Sequence, residues 1–214
     1  KDLTPRLTSF DRYRIVLEKL GFGFELKFRS IFGDGKADLS SVRNIVGEKD
    51  CKWVGIAPFA AHKGKIYPLY LMEDVVSQID SACLCRQFVF AYGKERSLVE
   101  EWAQKYRSVE IIDPRLGLEG ELKVISNMEV MLAMDSSNMH LASITATPVV
   151  SVWGATHPYA GFMGWGQNPD NCIQLDLPCR PCSIYGKKEC IYADYRCLTG
   201  IDPDIVFAKV KAYL

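Results

Sequence analysis

Short apolar runs closed by polar or turn-forming residues dominate the middle of the chain. Residues 53–57, 88–92, 109–112 and 130–134 are such runs, and a last one closes on Trp153-Gly154. Within each run, apolar residues follow one another instead of alternating with polar ones. That pattern predicts strands covered on both faces, as in a parallel sheet. Helical spacing fills the intervals. Residues 68–79 start on Pro68, residues 95–106 carry acids near their start with Lys105 and Arg107 at their end, and residues 121–127 form a shorter segment. Pro at a first helical position and charges that complement the helix dipole support these assignments. A further short helix opens after Asp135, and a last one over 205–214 follows the Asp202-Pro203 cap. The alternation predicts an α/β fold, a mostly parallel sheet with helices on both faces.

The first fifty residues follow another pattern. Phe10, Tyr13, Leu17 and Leu20 recur at helical spacing behind a Thr8 or Ser9 cap, and Gly21 ends the helix. Phe24, Leu26 and Phe28 alternate with charged residues, which predicts a half-buried strand. Residues 33–50, rich in Gly, Asp, Ser and Lys, read as a loop with a short helix over 39–46.

Composition narrows the function classes. Lys and Arg together number 26, as do Asp and Glu, so the chain has no basic surplus to attract a nucleic-acid backbone. Charge, Pro or Gly interrupts every apolar run before the ~20 residues a membrane span requires. No basic-then-apolar secretory segment opens the chain, and its first residue is Lys, not Met, which suggests a piece of a longer protein. Eight cysteines in such a chain suggest reduced thiols or a metal more than disulfides. Cys51, Cys83 and Cys85 lie in or beside apolar runs, as buried free thiols do. Cys179-Arg180-Pro181-Cys182, Cys190 and Cys197 form a second group. Its spacing half fits a tetrahedral zinc site, with a packed reduced cluster or a disulfide pair as alternatives. Arg180, Lys187 and Lys188 are expected to keep these thiols ionised.

The candidate chemistry gathers where strands end. Ligands of open α/β sheets bind in the crevice beyond the carboxyl ends of the strands, and several unusual clusters fall there. After 130–134 come Asp135, Ser136, Ser137, Asn138 and, one turn into the helix, His140. The N–H groups at that helix start suit a phosphate, and ordinary capping by Asp or Ser is the alternative. After 53–57 comes a loop with His62, Lys63 and Lys65, in which a lysine can neutralise a diphosphate. Glu95 begins a helix just past residues 88–92, where an acid accepts ribose hydroxyls or simply favours the helix dipole.

Three stretches together carry a resemblance. They are Val54 to Ala60 with Lys65-Ile66-Tyr67-Pro68, Asp135-Ser136-Ser137-Asn138-Met139-His140-Leu141-Ala142, and Thr147-Pro148 through Trp153-Gly154-Ala155-Thr156. They resemble the C-terminal half of glycosyltransferase family 9, the ADP-heptose lipopolysaccharide heptosyltransferases. Many members also carry a similar cysteine-rich tail. The resemblance implies a Rossmann-like nucleotide-sugar-binding domain of a GT-B glycosyltransferase. Residues 1–50 would be interdomain helix, strand and linker. Residues 51–214 would be the donor domain, with the cysteine-rich segment at 179–197 and a C-terminal helix. Lys65 would meet the donor diphosphate, Glu95 the ribose, and Asp135, Ser136, Ser137, Asn138 and His140 the phosphate and nearby sugar. No cofactor is required for inverting transfer. A structural zinc on Cys179, Cys182, Cys190 and Cys197 is an additional expectation. The implied partners are ADP-heptose or a similar nucleotide sugar and, through an N-terminal domain carrying the catalytic base, a lipopolysaccharide core acceptor. The implied location is the cytoplasm, peripherally at the inner face of the inner membrane. Ser137 stands where the family usually has Gly, and Tyr67 where it has Trp. The competing reading is a non-catalytic α/β module whose zinc-stabilised cysteines form a partner-binding surface.

Overall fold

The computed structural model describes residues 3–82 and 85–214. Its centre is a six-stranded parallel sheet of β1 (Lys52–Ala57), β2 (Cys85–Val89), β3 (Val109–Ile111), β4 (Val130–Met134), β5 (Val149–Val152) and β6 (Cys172–Ile173). The strand order is β3-β2-β1-β4-β5-β6. Order therefore reverses between β1 and β4, whose register pairs Ala57 with Ala133 at the carboxyl ends. A crevice opens beyond such a reversal because successive connections leave on opposite faces.

Alternate residues of β1 and β4 enter two separate cores, which accounts for their unbroken apolar sequence. Val54, Ile56, Val130, Leu132 and Met134 face one core with α3 (Leu69–Ala82), α4 (Glu100–Lys105) and α8 (Pro203–Lys211). Trp53, Ala57, Met131 and Ala133 face the other with α2 (Arg43–Val46), α5 (Gly117–Ser126) and α6 (Ser137–Ile144). Gly55 faces that second core, where an added Cβ would lie 2.6 Å from the Met131 sulfur. Helix α7 (Arg196–Thr199) carries Cys197, the last residue of the cysteine-rich segment.

Some expectations shift. Strand β2 starts at Cys85, not residue 88, because Arg86 and Gln87 pair with β1 despite their polarity. The fully buried Gln87 amide donates to the Val76 carbonyl and to Ser108 Oγ. Helix α5 begins at Gly117, ahead of residue 121. The segment expected from residue 95 splits into a 3-10 turn (Gly93–Leu98) and α4. The strand expected at 24–28 does not form. No neighbouring strand supplies a ladder, and Phe24, Leu26 and Phe28 are exposed. Helix α1 (Ser9–Lys19) does form, capped by Thr8, but Tyr13, Val16, Leu17 and Leu20 lie in water. Among the described residues no helix is long and apolar enough to cross a membrane. Cys85 is buried and Cys51 partly buried, and Cys83 lies outside the described residues.

Candidate functional site

The loops after β1 and β4 meet at the point of strand reversal. The β1 loop ends in a 3-10 turn (Lys63–Lys65) that presents Lys65. The β4 loop supplies Asp135, followed by Ser136 as N-cap of α6. Lys65 Nζ lies 2.9 Å from Asp135 Oδ2, and both side chains are largely withdrawn from water. Thr156, just beyond β5, donates from Oγ1 to the same carboxylate oxygen at 2.8 Å. The β1 loop is tied in place by the Ala155 N–H, which donates to the Gly64 carbonyl at 2.7 Å. That approach requires Gly154, since a Cβ there would stand 2.5 Å from the Gly64 oxygen.

Helix capping does not occupy these polar side chains. Ser136 makes no side-chain cap bond, and its buried Oγ has no hydrogen-bond partner among the described residues. A buried hydroxyl without a protein partner costs about 1–3 kcal/mol, and Ser136 carries that cost at the wall of the cavity. Asp135, which alone would repel a phosphate, has its charge matched by Lys65. A phosphate oxygen near Lys65 would therefore meet an ammonium whose position the carboxylate already holds.

His140 stands in the first turn of α6 on the same cavity. Burial holds its pKa below the usual histidine value and Lys65 lowers it further, with Asp135 opposing. The imidazole is neutral at pH 7. A depressed histidine pKa contributes stability that is intact above the unfolded-state value near 6.5 and is lost as pH falls through the folded value. Urea melts at pH 7.5 and pH 5 should therefore show a smaller acid-induced loss in His140→Gln than in the parent chain.

The cavity above these residues encloses about 550 Å³, within the range of small-molecule sites. Lys65, Glu95, Asp135, Ser136, Ser137, Asn138 and His140 all line it. Glu95 sits in the 3-10 turn after β2, and Ser137 is exposed at the start of α6. Tyr67, the other departure from the family pattern, is fully buried and donates its hydroxyl to the Ile201 carbonyl at 2.7 Å. Phe59, from the loop already singled out, forms the apolar walls with Phe90, Tyr92, Phe162, Ile184 and Tyr185, which sequence reasoning missed. Phe162, Ile184 and Tyr185 lie in irregular segments, so no periodicity marked them. Phe90 and Tyr92 continue the apolar run of β2 and were legible only as strand.

The cysteine-rich segment corrects two expectations. At Cys197 burial outweighs the lowering effect of Arg180, whose guanidinium donates to carbonyl groups. Nε donates to Gly154 O at 2.7 Å, Nη2 to Thr156 O at 2.9 Å, and Nη1 to Leu175 O. Burial pushes the Cys197 thiol up to about 11, so it is protonated at neutral pH. Among the described residues, no three His, Cys, Asp or Glu side chains stand where they could hold a metal. The Cys182 N–H donates to Ala155 O at 2.8 Å, its thiol donates to Cys179 O at 3.6 Å, and the Cys190 thiol lies 3.9 Å from Asp194 Oδ1. The segment thus braces the carboxyl end of β5, directly behind Thr156.

Comparison with known proteins decides the family. The sequence profile described as glycosyltransferase family 9 (heptosyltransferase) matches residues 7–193. The chain belongs to glycosyltransferase family 9. Among curated family relatives, lipopolysaccharide heptosyltransferase 1 of Pseudomonas aeruginosa is 30% identical over 115 residues, covering 47% of this chain and 31% of that protein. Among solved structures, the family 9 glycosyltransferase from Veillonella parvula superposes with a TM-score of 0.70 at 14% identity, over 99% of this chain and 61% of that one. E. coli heptosyltransferase WaaC with ADP gives a TM-score of 0.67 at 15% identity, over 100% and 59%. At such identities the likeness shows a shared fold, that of the GT-B glycosyltransferases of this family. The chain spans about a third of the length of its curated relative and about three-fifths of these solved ones.

Proposed function

We propose that this chain is the donor-binding half of an inverting heptosyltransferase-like glycosyltransferase. Its donor is ADP-heptose or a related nucleotide sugar, used in lipopolysaccharide core or related glycan synthesis. Residues 1–50 serve as the interdomain segment and residues 51–214 as the donor domain. One observation carries the reading. Lys65, held by Asp135, lines one cavity at the strand reversal with Ser136, whose hydroxyl has no partner among the described residues, and with neutral His140. Two solved relatives from E. coli, described with ADP and with ADP-2-deoxy-2-fluoro heptose, support the ligand class.

In this reading the acceptor hydroxyl attacks the anomeric carbon while the bond from that carbon to the diphosphate oxygen breaks. ADP leaves with its new charge against Lys65 and the α6 N-terminus, and configuration inverts. The acceptor's proton goes to a base on the other half of the two-domain architecture, because Asp135 is engaged by Lys65 and Thr156. This half therefore binds nucleotide without transferring sugar by itself. The assembled enzyme works in the cytoplasm, at the inner face of the inner membrane, where a lipid-linked acceptor is reached.

Titration calorimetry with ADP tests the site. Lys65→Ala and His140→Ala should each weaken binding by about tenfold or more, the scale of a lost charge-assisted hydrogen bond. Unchanged affinity in both variants would remove the proposed site.

A further inference from the structure

The tip of the cysteine-rich segment, residues 182–188, reaches the donor cavity as well as bracing β5. It is tied at both ends. The Cys182 N–H donates to Ala155 O at 2.8 Å, and the Lys188 N–H donates to Ser183 Oγ at 3.4 Å. Between these ties Gly186 adopts a left-handed φ of +77°. A Cβ there would stand 2.8 Å from the Lys65 side-chain carbons and 3.4 Å from the Thr156 methyl group. The Gly186 backbone therefore rests on the aliphatic stem of Lys65 and beside Thr156, both of which meet the Asp135 carboxylate. Glycine permits that approach because it carries no side chain and tolerates positive φ.

The two residues before Gly186 are placed by this contact. Ile184 and Tyr185 line the donor cavity, yet they are 61% and 59% exposed. The Tyr185 ring lies against Phe162, with centroids 5.6 Å apart and planes inclined by 32°. A backbone fixed against Lys65 thus holds large apolar side chains open to a ligand, as small-molecule sites do. Strand order says which part of a ligand arrives there. The cavity wall follows the sheet from β2 to β1, β4 and β5: Glu95 comes after β2, Lys65 after β1, Ser136 and His140 after β4, and Phe162 after β5. With ribose at Glu95 and the diphosphate at Lys65 and Ser136, a nucleotide sugar laid along this row brings its glycosyl unit to Phe162 and Tyr185. One face of a pyranose is a layer of C–H groups, which packs on the electron-rich face of an aromatic ring.

We propose that Tyr185, at the tip of the cysteine-rich segment, is a specificity-determining residue for the donor's sugar, packing with Phe162 on the C–H face of an uncharged pyranose. The proposal rests on the donor reading, since the place of Tyr185 beside Lys65 is a sugar position only where Lys65 holds a diphosphate. It gives the segment a part in the choice of donor that its backbone contacts with β5 do not require.

Calorimetry of the 214-residue chain with ADP-glucose and with ADP tests it. Tyr185→Ala should weaken ADP-glucose binding by about three- to tenfold, the scale of a lost aromatic contact, while ADP affinity stays within about twofold of the parent. Retained ADP binding shows that the variant is folded. Tyr185→Phe should keep most of the ADP-glucose affinity, because the ring and not the hydroxyl makes the contact. A second measurement reads the contact itself. In a chain deuterated except at tyrosine, saturating the tyrosine ring protons should transfer to the glucose C–H protons, and Tyr185→Ala should abolish that transfer. Unchanged ADP-glucose affinity in Tyr185→Ala, an equal loss of ADP and ADP-glucose affinity, or saturation transfer that survives the substitution would each overturn the proposal. A parent chain that binds neither ligand would instead overturn the donor reading, so ADP binding by the parent tells the two failures apart.

Discussion

An Asp135→Ala chain is expected to lose about 3–5 kcal/mol of stability in urea unfolding at pH 7, the usual consequence of leaving one member of a buried ion pair without the other. Lys65 Nζ has its carboxylate at 2.9 Å and little access to water, so its charge would have no nearby replacement. Thr156 would lose its acceptor as well. Two controls separate charge from packing. Removing both partners in Asp135→Ala/Lys65→Met should recover much of the loss, since an apolar pair substitutes for a buried ion pair at low cost. Saturating ADP should stabilise Asp135→Ala more than it stabilises the parent chain, because a phosphate then supplies the missing negative charge. A midpoint unchanged by Asp135→Ala would mean that water reaches Lys65 and that the lysine is not held for a ligand.

Replacing Arg180 by Ala should cost a similar amount, about 3 kcal/mol or more. It would leave the carbonyls of Gly154, Thr156 and Leu175 without their donor, at about 1–3 kcal/mol for each such buried group. Relief of the buried guanidinium charge offsets part of this. Arg180→Lys should recover little, because an ammonium cannot reproduce a planar fork that serves several carbonyls at once. ADP affinity should fall in both variants although Arg180 is not part of the donor-cavity wall. The Gly154 and Thr156 backbone positions the Thr156 hydroxyl on Asp135 and keeps Ala155 against the Gly64 carbonyl. Thermal melting combined with calorimetry reads both effects, and a fully stable Arg180→Ala chain would contradict the bracing role.

Strands β1, β4 and β5 were readable because burial on both faces leaves few polar positions, and Trp53 to Ala57 and Val130 to Met134 show none. Strand β2 was misplaced because the Gln87 side-chain NH2 donates to Val76 and Ser108, partners that only the folded chain brings near. Strand β6, two residues long, carries no period. The alternation over Phe24 to Phe28 had the right chemistry for a strand and lacked a neighbour to pair with. In the site, the turn residues stood out because position beyond a strand end is itself a sequence signal. The partnership of Asp135 with both Lys65 and Thr156 was not legible, since it joins three connections that approach only through the sheet. The same holds for the Phe162 and Tyr185 walls. For Arg180, local sequence pointed to its cysteine neighbours, whereas the fold turned it towards carbonyls.

The pairing of Ala57 with Ala133 also has a kinetic side. The two halves of the cavity belong to segments far apart in sequence, and nothing local brings Lys65 to Asp135. Closing that contact carries the chain-entropy cost of a long loop, so the site comes into being with the sheet's midline and not before it. Nucleotide can then recognise only chains in which β1 and β4 have joined. By mass action its binding energy protects that central pairing as a whole. Amide exchange along Val54 to Ala57 would register the ligand as strongly as the residues that touch it.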